Sequence, residues 1–313
     1  MPKLIKARFI NLTVWFALLW VTPVWAVTFE FTKVTESVYA YVGPLENRTP
    51  ENLGLNNNIG LVLTSQGAVL IDSGAGDSSA QVLEKAVKQI TDKPIVAVIN
   101  TGSQDHRWLG NGYFAEKGAT LYALQHTVNT QQKMGAGLVE KMSRVSEQFA
   151  TTKPMVSKAP FAGDSATLTI GDTQFELHYF GDAHFPGDAV VWLPEQKVLF
   201  SGDLIYVDRM LGVHPFSNVQ SWQKAFHQAE KLPAKFIVPG HGQIADWDLA
   251  RQDTGNYLDK LVVVISEAAD EMKGVDEVVS ENADWPEFNH LEHYDSWHKT
   301  ILNRTFLQFE AAM

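Results

Sequence analysis

Four short apolar runs, each ending on an acid or a histidine beside glycine, constrain this chain more than any other feature. They lead into Asn100 to His106, into Phe180 to Asp188, into Phe200 to Asp203 and into Val238 to Gly242. Runs of this length, rich in β-branched residues, read as buried strands. Polar residues at their ends fall in loops along one sheet edge, where layered α/β proteins carry their chemistry. The adjacent glycines let backbone come close to an ion or ligand. Asp105, His106, His184, Asp203 and His241 together supply enough nitrogen and oxygen for a divalent metal. The chain has no cysteine among its 313 residues. Thiol nucleophiles, zinc fingers, iron–sulfur ligation and covalent haem attachment are therefore excluded.

The order of elements points to an α/β protein. Asn58 to Leu63 and Ala68 to Asp72 form a hairpin around Ser65 to Gly67, and Asp77 to Gln89 is a helix with Ser78 as its cap. Ile95 to Asn100 is a strand buried on both faces. The second half repeats the logic, with a hairpin from Asp188 to Asp203, a helix from Asn218 to Leu232 and a strand from Lys235 to Pro239. Each hairpin ends in an Asp beside a Gly, as an internal duplication would produce. Asp248 to Lys273 reads as one long helix or two, and Trp297 to Phe309 as a last aromatic-rich helix. No Pro/Ser-rich linker interrupts residues 27–313, so one domain with a helical C-terminal extension from about residue 248 is expected.

Residues 1–26 differ in kind. Lys3, Lys6 and Arg8 precede an apolar run from Phe9 to Val21, and small residues near Ala26 suit a cleavage point. Asn11 and Thr13 break that run, so it reads as a cleaved export signal, leaving no stable membrane anchor, and bacterial periplasm is the expected location. The formal charge of −11 disfavours nucleic acid as a partner, since phosphate contacts need clustered Lys and Arg. A small-molecule substrate is expected, with a homo-oligomer open because the aromatic C-terminus can dock in cis or on a second subunit.

With Asn58 to Gly60, Leu70 to Gly74, Asn100-Thr101, Gly181 to Asp188, Gly202-Asp203 and Pro239 to Gly242 in this order, the sequence resembles the metallo-β-lactamase superfamily from about Val27 to Gly242. Within it, the chain is most similar to exported members linked to sulfur-oxidation and quinoprotein systems. The resemblance implies a four-layered αββα sandwich with a metal site at one edge. It departs from the family where His-x-His-x-Asp-His is expected after Asn-Thr. Aligned without gaps, Gly102 and Gln104 take the two first His places, His106 the Asp place and Arg107 the last His place. Keeping Asp-His together instead matches Asp105 and His106 to the motif's end. Both early histidines are missing either way. By the resemblance, the first metal site is then lost and the second survives. In the Asp-His alignment Asp105, His106, Asp203 and His241 hold one divalent ion, zinc before iron or manganese, with His184 stranded from its partners.

The expected chemistry is metal-dependent hydrolysis of a small ester, thioester or lactone by activated water. Asp105 would orient that water or take its proton, His184 would donate to the oxyanion or leaving group, and Gln104 and Arg107 would bind substrate. The alternative is a non-catalytic or metal-poor binding module that keeps the fold. Asp72 is expected to steady a ligand or a loop amide. His290, His293 and His298 do not share one face and read as surface or interface.

Overall fold

The computed structural model describes residues 29–311; the expected export signal lies outside the described residues. Among the described residues eleven strands form two sheets. β1 (Phe31–Lys33), β2 (Val38–Tyr41), β3 (Ile59–Leu63), β4 (Ala68–Ile71), β5 (Ile95–Ile99) and β6 (Thr120–Tyr122) lie in chain order in the first. The second runs β11-β10-β9-β8-β7, built from β7 (Ser165–Ile170), β8 (Thr173–His178), β9 (Val190–Leu193), β10 (Val198–Tyr206) and β11 (Phe236–His241). In both, antiparallel hairpins give way to parallel pairs, β4 with β5 and β10 with β11. A parallel pair needs a crossover. The helices α1 (Asp77–Val87) and α5 (Val219–Ala229) supply it.

Strand alternation builds the layers. Val69 and Ile71 of β4 meet Val198 and Phe200 of β10 in the core between the sheets. Ala68 and Leu70 turn the other way, onto Ala80 and Leu83 of α1, and Leu199 turns onto Trp222 and Phe226 of α5. Both faces of these strands are therefore covered, which is why their sequences are continuously apolar. The chain has the expected αββα sandwich. Gly60 lets the sheets approach, because a Cβ there would run into the Phe200 ring. Gly60→Ala should cost about 1–3 kcal/mol by overpacking. A lower urea midpoint at unchanged slope is the expected result; an unmoved midpoint would show that Phe200 can shift freely.

The remaining helices are α2 (Asp105–Trp108), α3 (Asn111–Glu116), α4 (Gln125–Val145), α6 (Trp247–Ala250), α7 (Asn256–Asp270), α8 (Val275–Glu281) and α9 (Tyr294–Glu310). α6 and α7 are joined by a π-helical turn, Arg251–Gly255, so the long helical stretch is two helices. Its Thr254 and Asp253 hold the backbone after Asp203, through Tyr206 N at 2.9 Å and Asp208 N at 2.8 Å. Two expectations need correcting. The residue preceding α1 is Gly76, whose N–H is taken by the Ser79 hydroxyl at 3.0 Å rather than by Ser78. His298 is an interior residue, bonded to Tyr257 Oη at 2.9 Å and Asn282 O at 2.8 Å and stacked on Tyr294. Among the described residues no helix is long and apolar enough to cross a membrane.

Candidate metal centre at the sheet edge

The site forms where the C-terminal ends of β5, β10 and β11 meet. Asp203 lies inside β10 where its register with β11 slips, and His241 closes β11. Gly240 makes room, since a Cβ there would sit 2.6 Å from Asp203 Oδ1 and 2.7 Å from Arg107 Nη2. After β5 the chain turns through Gly102 to Gln104 into α2, which brings in His106 and Arg107.

His106, Asp203 and His241 converge, each with one ligand atom within 4.8 Å of the others. His106 Nε2 is 3.4 Å from Asp203 Oδ2, and His241 Nε2 is 3.4 Å from Asp203 Oδ1. Tetrahedral bonds of about 2.0–2.2 Å place neighbouring donors roughly 3.3–3.5 Å apart. The two separations run to different oxygens of Asp203, and two imidazoles and a carboxylate within 4.8 Å of one another are a donor set of the kind one divalent ion takes. Burial, then Arg48, holds His106 well below the ordinary histidine range, and burial with Arg209 takes His241 down to about 3. Both rings are thus neutral at neutral pH, the state a ligand requires. Burial works to raise the Asp203 carboxyl, but Arg107 and the two histidines outweigh it and hold Asp203 well below the usual carboxylate range.

Asp105 and His184 stand outside this group of three. Asp105 lies behind His106, on the Nδ1 side of the ring, with its Oδ1 3.8 Å from that nitrogen. It is ion-paired to Arg48 at 2.7 Å and Lys141 of α4 at 3.0 Å. Burial alone would raise its pKa, but these cations outweigh it and hold the acid firmly ionised. Both alignments keep His106 in the group of three; Asp105, which the Asp-His alignment adds, falls outside it. His184 donates from Nδ1 to Gly212 O, which turns Nε2 into an acceptor facing Gln104 at 3.1 Å. Burial lowers its pKa to about 4.

Gln104 fills the space among His184, Asp203 and His106. Turned so that its neighbours are satisfied, its amide nitrogen lies 3.1 Å from His184 Nε2, 2.8 Å from Asp203 Oδ2 and 3.1 Å from His106 Nε2, while its oxygen accepts from Arg48 at 3.1 Å. Arg107 does not reach for substrate. Its fork grips Asp203, Nη2 to Oδ1 at 2.5 Å and Nε to Oδ2 at 3.2 Å, and Nη1 reaches Asp72 at 3.1 Å. The carbonyls of Asn58 and Gly240 take two further bonds at 3.1 Å each. Every donor goes to protein because the guanidinium is entirely buried between two carboxylates. Asp72 also accepts from Thr101 N at 2.8 Å and Thr101 Oγ1 at 2.6 Å, steadying the loop amide as expected.

Sequence reasoning passed over Arg48, Asn56 and Lys141. Arg48 sits in a stretch that matches a glycosylation pattern, and Asn56 opens an Asn triplet; that triplet, polar yet followed at once by a buried strand, was the available signal. Lys141 lies on a helix with no motif of its own.

The family model for the metallo-beta-lactamase superfamily matches residues 53–241. A type 2 metallo-beta-lactamase from Bacteroides fragilis is 27% identical over 243 residues, covering 74% of this chain and 87% of that protein. Another, from Elizabethkingia meningoseptica, is 26% identical over 190 residues, 59% of this chain and 68% of its own length. Among solved structures, a metallo-beta-lactamase from Pontibacter korlensis superposes with a TM-score of 0.57 at 26% identity, covering 74% of this chain and 98% of that one. With its two stacked sheets, their flanking helices and a matched span that ends on His241, the chain belongs to the metallo-β-lactamase superfamily.

Proposed function

We propose that this protein is an exported hydrolase that works with one divalent ion, zinc first, on a small ester, thioester or lactone. The observation that carries the reading is the convergence of His106, Asp203 and His241 at separations suited to one ion. The place of a first ion has no comparable set, since Gly102 has no side chain and the Gln104 amide lies beside His184. His106, Asp203 and His241 would hold the ion, which when bound supplies Lewis acidity to the carbonyl under attack and to the attacking water. Arg107 keeps Asp203 ionised and aimed. His184, neutral with its Nε2 lone pair turned inward, is placed to accept a proton rather than to donate one. Asp105 anchors Arg48 and Lys141 beside His106. The signal-like pattern of residues 1–26 supports export to the periplasm as part of this reading.

A second reading has its own observation. Arg107 and Gln104 already satisfy Asp203 without any ion, so a metal-free binding module is chemically self-consistent. Turnover separates the two. Chelator-treated protein should be assayed on nitrophenyl acetate, an acyl thioester, an acyl homoserine lactone and a chromogenic β-lactam, before and after zinc, manganese or ferrous iron. Metal-restored hydrolysis of an ester, thioester or lactone, absent in His241→Ala, is the expected outcome. No turnover of any compound with any metal would favour the binding module.

A further inference from the structure

His106 and His241 each meet two incompatible partners at Nδ1. His106 Nδ1 lies 2.6 Å from Arg48 Nη2 and 3.2 Å from Asn56 Oδ1. His241 Nδ1 lies 2.8 Å from Arg209 Nη1 and 2.7 Å from the main-chain O of Asn56. A guanidinium can only donate, while a carbonyl oxygen can only accept. One residue, Asn56, therefore favours a proton on Nδ1 of both rings, and two arginines favour a lone pair there.

The two choices differ in what Nε2 presents to the centre. With Nδ1 accepting from arginine, Nε2 carries the proton and points it at Asp203, 3.4 Å away in each case. That ring cannot ligate through Nε2. With Nδ1–H given to Asn56, Nε2 presents a lone pair, and the ring becomes a ligand of the ordinary kind, oriented by a carbonyl behind it.

We propose that Arg48 and Arg209 select the non-ligating tautomer of His106 and His241 in the ion-free protein, and that ion binding requires both arginines to yield to Asn56. This rests on the one-ion reading above. Two observations support it. Both arginines are held in place from outside the cluster: the same Arg48 Nη2 pairs with Asp105 Oδ1 at 2.7 Å, and the Arg209 guanidinium lies over the Trp297 ring at 4.9 Å. Each also leaves its Nε buried without a partner, so the imidazole lone pair is an acceptor that neither buried guanidinium readily gives up. Trp297 belongs to α9, beyond the stretch matched by the family model, so the C-terminal extension takes part in the selection.

The test uses the intact folded protein labelled with nitrogen-15 at histidine, stripped of metal, with Arg48→Gln and Arg209→Gln alongside and thermal melting as the check on folding. Imidazole nitrogen shifts should report Nε2–H at both rings in the parent, and a change to Nδ1–H at His106 in Arg48→Gln and at His241 in Arg209→Gln. Zinc affinity, read by competition with a chromophoric chelator, should rise about tenfold in each variant, the scale usual for groups that orient a ligand. Nδ1–H in the parent, or tautomers that do not move in the variants, overturns the proposal whatever zinc does. Tautomers that switch while no variant binds zinc sustain the arginine selection and overturn the one-ion reading instead. The tautomer readout also separates this effect from plain charge removal, which would tighten zinc without moving a proton between the ring nitrogens.

Discussion

Arg107→Leu should lower stability by about 3–5 kcal/mol, the usual result of removing one partner from a buried ion pair. The guanidinium joins Asp72, at the end of β4 in the first sheet, to Asp203 in β10 of the second, and it binds the carbonyls of Asn58, just before β3, and of Gly240 in β11. Leucine fills much of the volume but leaves two buried carboxylates facing each other without a cation. Burial already pushes Asp72 up to about 6 with Arg107 in place, so without it Asp72 should take up a proton near neutral pH. For a chain of this size the loss corresponds to roughly 5–8 °C in melting temperature. Circular dichroism melting at pH 7 reads it directly. A shift of a degree or two would mean that water reaches both acids and that the sheets do not depend on this contact. Arg107→Lys should fall between, since one ammonium cannot replace a fork that spans two carboxylates.

Asp203→Asn should abolish ion binding and reduce hydrolysis by at least about two orders of magnitude, while leaving the fold largely intact. Asparagine keeps the shape and still offers one carbonyl oxygen, so Arg107 retains Asp72, Asn58 O and Gly240 O as partners. The charge that draws a dication is gone, however, and the remaining neutral imidazoles sit beside Arg48, Arg107 and Arg209 with nothing to offset them. Parallel measurements of melting temperature, zinc affinity and turnover separate the roles. Turnover that survives in Asp203→Asn would remove the ion from the mechanism altogether.

The architecture was legible because it depends on pattern. The runs Ile59 to Leu63, Ala68 to Ile71, Ile95 to Ile99 and Val198 to Phe200 are apolar on both faces, and only strands packed between two layers need that. The same holds for His241 and Asp203, whose glycine neighbours announce a close approach. Less legible were β7 and β8, which bury one face only and so lack the continuous apolar run of the inner strands, and α4, whose polar face conceals its role in carrying Lys141. The site's electrostatics were not legible at all. Arg48 and Arg209 are far apart in the chain, and only the folded loops place them against His106 and His241. Arg107 was read as a substrate contact because a sequence shows that an arginine is near a site, not that two carboxylates already claim it. The likeness of the two hairpins acquires a physical meaning through that residue, since Asp72 and Asp203, one from each half, are the acids it joins.

The central claim is a single ion held by His106, Asp203 and His241, and the most direct test is elemental mass spectrometry of protein prepared without chelator or metal-affinity resin. The account predicts about one equivalent of zinc, iron or manganese per chain, and close to none in His241→Ala. A parent protein that stays well below one equivalent after dialysis against each ion, or a His241→Ala variant that keeps its metal, would contradict it.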